Sequence, residues 1–149
     1  MALYWFAQLR SSIECALTAS GRAIPGDIEE RCEIAVREYA GSIELLPGAL
    51  EILARYDGLP KAIVSNGPSD MQRAAISSAQ LAPYFDHILI SGDADVAVRK
   101  PNPQIFLRAC SRLGVSPDHA LMIGDNIEAD IEGARSAGVN PLHVSHFQT

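Results

Sequence analysis

Lysine is scarce in this 149-residue chain: Lys61 and Lys100 stand against ten arginines. The net charge is −6, and neither sign gathers into a long run. A nucleic-acid binder usually carries a basic face or stripe, so nucleic acid is not expected as a partner. No apolar run approaches the length of a membrane span. The apolar start MALYWFAQLR has no basic residue ahead of it and is closed by Gln8 and Arg10, so it does not read as a secretory signal. The expectation is a cytoplasmic protein with no membrane partner. Cysteine is sparse too. Cys15, Cys32 and Cys110 are an odd number, widely spaced, with no CxxC pair. That speaks against a disulfide framework and reads as three small buried hydrophobes in a reducing compartment.

What remains is an ordinary globular composition, with 48% apolar and 20% charged residues, long enough to bury a core without staples. The chain changes character near residue 45. Before that point Leu3, Phe6, Leu9, Ile13, Ala16 and Leu17 recur at helical spacing. Gly21, Pro25 and Gly26 break the pattern. A second helix is predicted from an Asp27 N-cap to about Ala40, stopped by Gly41. Tyr4, Trp5 and Phe6 read as core of this helical part.

From Pro47, which suits the first turn of a helix over 48–56, short apolar runs alternate with helical stretches. The runs are Ala62-Ile63-Val64, Ile88-Leu89-Ile90, Leu121-Met122-Ile123 and Leu142-His143-Val144. Helices are predicted over 70–81, 103–113 and 127–137, with an Asn102-Pro103 start and stops at Gly114 and Gly138. Such alternation predicts a parallel sheet whose strands are buried on both faces, in a three-layer, Rossmann-like α/β sandwich.

Ligands of such sheets lie at the carboxyl ends of the strands. Ser65, Asn66 and Gly67 follow the first run; Arg99, Lys100 and Pro101 end the loop after the second; Gly124, Asp125 and Asn126 follow the third, with Asp130 five residues past Asp125. The set suits phosphoryl transfer. Asp125 offers the hard oxygen that Mg²⁺ prefers. Lys100 offers a compact positive charge. The Ser65 hydroxyl and the amides around Asn66 and Gly67 can donate to phosphate oxygens. Each piece also has a plain structural reading. Ser65-Asn66-Gly67 is a common turn, Lys100 a solvated loop charge, Asp125 with Glu128 a helix capping box, and Asp130 a helix-surface charge. His143 and His146 read as ordinary strand and tail residues rather than metal ligands.

The joint pattern is more specific than its parts. AIVSNG, VRKPNPQIF and MIGDNIEADIEGARSAG resemble, in order and spacing, the second, third and fourth motifs of the haloacid dehalogenase (HAD) superfamily. The resemblance covers about residues 46–144. It implies that Ser65 and Lys100 are catalytic, that Ser65, Asn66, Gly67 and Lys100 hold phosphate, and that Asp125 and Asp130 serve a magnesium site. It makes residues 1–45 similar to part of a helical cap and residues 46–149 a HAD-like core. The substrate implied is a small phosphorylated metabolite. The family's metal-free dehalogenases typically carry serine where Gly124-Asp125 stands, so the acidic version favours a phosphatase.

The family's first motif, an apolar strand ending in D-x-D-x-T, has no good match. The only D-x-D is Asp93-Ala94-Asp95, which runs straight into the Lys100 segment and reads as an acidic loop. The first Asp of that motif is the family's nucleophile, and its strand lies mid-sheet, between those leading to Ser65 and Asp125. The expectation is therefore a chain inactive by itself, with a slot in its sheet. The slot would close, or fill from this chain or another, which makes self-association one expectation. A non-catalytic remnant that binds phosphate or a protein, and a metal-free 2-haloacid dehalogenase, are the alternative readings.

Overall fold

The computed structural model describes residues 7–147. The helices are α1 (Ala7–Ala19), α2 (Ile28–Gly41), α3 (Ala49–Arg55), α4 (Ser69–Ser78), α5 (Pro103–Leu113) and α6 (Gly133–Ser136), the last entered through a π-helical turn over Ile127–Glu132. The strands are β1 (Ala62–Ser65), β2 (His87–Ile90), β3 (Leu121–Gly124) and β4 (Asn140–His143). Leu3 and Phe6 of the expected first stripe, with Tyr4 and Trp5, lie outside the described residues. No described helix is long and apolar enough to cross a membrane.

The parallel α/β architecture is present, divided into two halves. β1 pairs with β2, Ile63 opposite Ile88, and β3 pairs with β4, Ile123 opposite Leu142. Among the described residues no ladder joins β1 to β3. α5 packs on both α6 and the β1–β2 pair, while α4 packs on α2.

The open edges correct one expectation. β2 is deeply buried at Leu89 and Ile90, but β1 is only partly buried along its length and Leu121 of β3 is 49% exposed. Strands buried on both faces need neighbours on both edges to satisfy their amides and carbonyls, and among the described residues β1 and β3 each have one. The fourth strand also begins earlier than its apolar run, at Asn140, and includes Pro141. The Asn140 amide donates to the Ala120 carbonyl at 3.1 Å. Alternation along the strand turns Pro141, which has no N–H, toward the free edge of β4, where it costs no ladder bond.

Helix ends follow local chemistry, with three departures. Pro47 stands before the N-cap of α3, which is Gly48 in the left-handed conformation at φ 83°. Asp27 occupies the N-cap of α2 without capping it, because its carboxylate pairs with Arg31 at 2.9 Å. Asp125 and Glu128 make no capping box; Asn126 is the cap and accepts the Ala129 amide at 2.7 Å. The Asn102-Pro103 start of α5 is as expected, Asn102 accepting from Gln104 N–H at 3.0 Å, and Gly114 ends it left-handed at φ 69°.

The core lies under α5, where Ile105, Phe106, Ala109 and Cys110 meet Leu89 of β2, Val96, Ala134 and Val139. On the other side Ile28, Cys32 and Val36, one helical stripe of α2, are buried, and α2 packs on α4. Burial pushes the Cys32 and Cys110 thiols above their usual range, which makes them inert packing groups. Cys15 corrects the expectation of three buried cysteines: it stands exposed on α1. Ile105, fully buried in the cluster, should be among the more expensive side chains to truncate. Ile105→Ala is predicted to cost about 2–5 kcal/mol, read as a lowered denaturation midpoint in urea with little change of slope.

Candidate active site

Three chain segments converge at the carboxyl ends of β1 and β3. Lys100 reaches them from the loop after β2. Its ammonium donates to the Val64 carbonyl at 2.8 Å and lies 2.6 Å from Asp130 Oδ1. The Lys61 and Ser65 carbonyls face β2, so alternation sends that of Val64 to the open edge, where Lys100 meets it. Only 11% of the Lys100 side chain and 5% of that of Asp130 are exposed. The plain readings of Lys100 as a solvated charge and Asp130 as a helix-surface charge are thereby corrected.

Asn66 holds this lysine in place through the backbone. Its Oδ1 accepts the Lys100 amide at 2.8 Å, and its Nδ2 donates to the Lys100 carbonyl at 2.9 Å. A cis peptide joins Lys100 to Pro101. Asn66 thus clamps the Lys100 backbone with both ends of its side chain. The Gly67 amide donates to Ser91 Oγ at 3.1 Å.

The fourth motif folds so as to bury its second carboxylate. The π-helical turn brings both the Asp130 and Ile131 amides onto the Asn126 carbonyl, at 2.8 and 3.2 Å. Asp130 then tucks under β3, and its Oδ2 accepts from Asn126 N–H at 3.1 Å. A Cβ at Gly124 would lie 2.5 Å from the Cβ and Cγ of Asp130, so only glycine permits this approach. Gly133 does the same one layer out, where a Cβ would meet Phe106 and the Pro101 backbone at 2.9 Å. Asp130 Oδ1 is buried and, despite the close ammonium, has no hydrogen-bond partner, so its tie to Lys100 is a charge contact off the hydrogen-bonding angles. Asp125 is exposed at the tip of β3.

Four residues that support the site carried no signal in the sequence pattern. Gln72 accepts from Ser65 Oγ at 2.7 Å, and its amide nitrogen lies 3.5 Å from the Tyr39 hydroxyl of α2. Ser91 holds the Gly67 turn. His143, read as an ordinary strand residue, bonds through Nε2 to the Asp125 carbonyl at 3.0 Å. Its Nδ1 accepts from Ser145 N–H at 3.2 Å, which fixes Nε2 as the protonated nitrogen. All four act through side-chain contacts made by the fold, which no spacing rule encodes.

The D-x-D carboxylates are engaged elsewhere. Asp93 pairs with Arg73 at 2.7 Å and bonds to Ser69. Asp95 pairs with Arg112 at 2.6 Å, and that hydrogen-bonded guanidinium holds its carboxyl below the usual range. Arg108 donates to the Val96 carbonyl, and Val96 itself is fully buried. A shallow groove of about 390 Å³ among Leu53, Lys61, Tyr84 and Asp86 lies at the opposite, amino-terminal ends of β1 and β2.

The family model of the haloacid dehalogenase-like hydrolases matches residues 3–138. The chain belongs to that family. A phosphoserine phosphatase of Thermus thermophilus is 40% identical over 131 residues, 87% of this chain and 51% of its own length. Among solved structures, the magnesium-bound YfnB of Bacillus subtilis is 26% identical, with a TM-score of 0.64 over 89% of this chain and 57% of its own. The L-2-haloacid dehalogenase of Xanthobacter autotrophicus, also 26% identical, superposes with a TM-score of 0.67 over 93% of this chain and 54% of its own. The HAD-like chain thus spans about half the length of the curated relative. These matches bear out the HAD-like, Rossmann-type fold expected from the three motifs.

Breaking one side of a buried ion pair leaves the other charge without compensation. Lys100→Met is predicted to lower stability by about 3 kcal/mol. Asp130→Asn placed on top of it should recover part of that loss, because it removes the stranded charge. Denaturant titration of both single variants and the double variant reads the coupling, and strictly additive losses would contradict it.

Proposed function

We propose that this chain carries the phosphate- and magnesium-handling part of a phosphatase acting on small phosphorylated metabolites. The observation that carries the reading is the Lys100 ammonium, fixed between the Val64 carbonyl and Asp130 and set at the strand ends that Ser65 terminates. A buried cation with one fixed acceptor and one carboxylate is a preorganised counter-charge for a phosphoryl group. Ser65, the last residue of β1, supplies a hydroxyl at the same strand end. The phosphoserine phosphatase relative supports the same reaction class.

The carboxylates fit magnesium. Asp125 is an exposed hard donor that would hold the ion, and Asp130, whose Oδ1 lies 2.6 Å from the Lys100 ammonium, would support the site from behind. Magnesium takes one or two carboxylates and keeps several waters. Among the described residues no group of three His, Cys, Asp or Glu is placed to hold a metal. When bound, the ion would offset charge on phosphoryl oxygens. His143 steadies Asp125 by holding its carbonyl. The same acidic position separates this reading from the metal-free dehalogenases, whose fourth motif typically carries serine there.

The nucleophile is what the described site does not supply. Asp93 and Asp95 are bound to arginines, and Asp130 is committed to Lys100. The 149-residue chain alone is therefore expected to leave an aryl phosphate unhydrolysed with or without Mg²⁺. Adding an apolar strand ending in D-x-D-x-T should produce Mg²⁺-dependent turnover that Lys100→Ala abolishes. If that extended protein ignored phosphate esters and instead released halide from a 2-haloacid without metal, the dehalogenase reading would replace this one.

A further inference from the structure

Ser65 has one proton to give, and the fold has already assigned it. Its Oγ donates to Gln72 Oε1 at 2.7 Å. In that state only lone pairs remain for a ligand. A phosphoryl group is an acceptor as well, so lone pair would face lone pair. A phosphate ion reaching Ser65 gains a hydrogen bond only if the Gln72 acceptor withdraws.

The surroundings let it withdraw without moving any heavy atom far. A carboxamide rotated by half a turn exchanges its oxygen and nitrogen at nearly the same two positions. Gln72 Nε2 would then donate to Ser65 Oγ, freeing the serine proton for the ligand. Gln72 Oε1 would take the place now held 3.5 Å from the Tyr39 hydroxyl, a donor on α2 that can turn its proton toward it. Space for the rotation comes from Gly67. A Cβ there would lie 2.8 Å from Nε2, 3.0 Å from Cγ and 3.1 Å from Cδ of Gln72. Gly67 has φ 149°, a backbone conformation that other residues rarely adopt, so the clearance is set by backbone as well as side chain.

We propose that Gln72 is a positioning residue whose amide orientation decides whether Ser65 donates to the ligand, with Tyr39 accepting one polarity and supporting the other. The chain Tyr39–Gln72–Ser65 then has two hydrogen-bond directions, and an anion at Ser65 selects one. The proposal rests on the phosphate reading of the Ser65–Lys100 site. It also makes α2 sense occupancy of that site through the direction of one hydrogen bond.

The test is a titration of the 149-residue chain with inorganic phosphate, followed by calorimetry and by the side-chain amide proton signals of Gln72 in NMR. Gln72→Met identifies those signals by their loss. One Nε2 proton is expected to move downfield with the same saturation curve as phosphate binding. Ser65→Ala should weaken phosphate by about tenfold, the loss of one bond to a charged group, and should abolish the Gln72 movement while Lys100 still holds the ion. Gln72→Met removes the competing acceptor and should bind within a few-fold of the unaltered chain; a purely structural role would make it bind far worse. Phosphate bound with the Gln72 signals unmoved would overturn the proposal and leave the site reading intact. Binding indifferent to both Ser65→Ala and Lys100→Ala would overturn the site reading, and the proposal with it.

Discussion

One buried charge contact organises this molecule. The chain forms two parallel strand pairs, and no ladder crosses from β1 to β3 among the described residues. Lys100 ties the halves together. It takes the Val64 carbonyl on the open edge of β1 and faces Asp130, whose other oxygen holds the turn after β3. An ion pair so little exposed stabilises less than its distance suggests, because both groups lose their hydration. Its value lies in register: the two strand ends are set relative to one another by a contact with one good geometry.

Much of the surrounding structure serves that contact. Asn66 spends its whole side chain on the Lys100 backbone, so the turn after β1 and the loop after β2 move together. Gly124 vacates the space that Asp130 fills, and Gly133 lets the following helix approach Phe106 and the Pro101 backbone. The π-helical turn brings two amides onto one carbonyl and directs Asp130 inward. Such turns disturb regular helix hydrogen bonding and recur at functional sites, and here the disturbance has a visible product.

The chemistry built on this frame divides labour between charge and direction. Lys100 and the carboxylates concern charge. Ser65, Gln72 and Tyr39 concern the direction of hydrogen bonds, and they connect a strand end to two helices. His143 does for the Asp125 loop what Asn66 does for Lys100, holding backbone so that a side chain is presented. The carboxylates of the acidic loop stand apart, because Arg73 and Arg112 already neutralise them.

The parallel α/β class, the four strands, and the contact of the Lys100 segment with the segment after β3 that carries Asp130 were in keeping with the sequence pattern. Apolar runs of strand length, alternating with helical periods, permit little else, and the three motifs fall at strand ends. Asn102-Pro103 and Gly114 marked helix ends because their chemistry is local. Other positions were not legible. Asp27 and Asp125 have the residue type of a cap, but Arg31 competes for one and Asn126 supplants the other. The burial of Lys100 and Asp130, the clamp by Asn66, and the parts played by Gln72, Ser91, Tyr39 and His143 depend on contacts between segments distant in the chain. Composition and periodicity report what each segment prefers by itself. Only tertiary structure decides which polar atoms lose water together, and each of those must then find a partner.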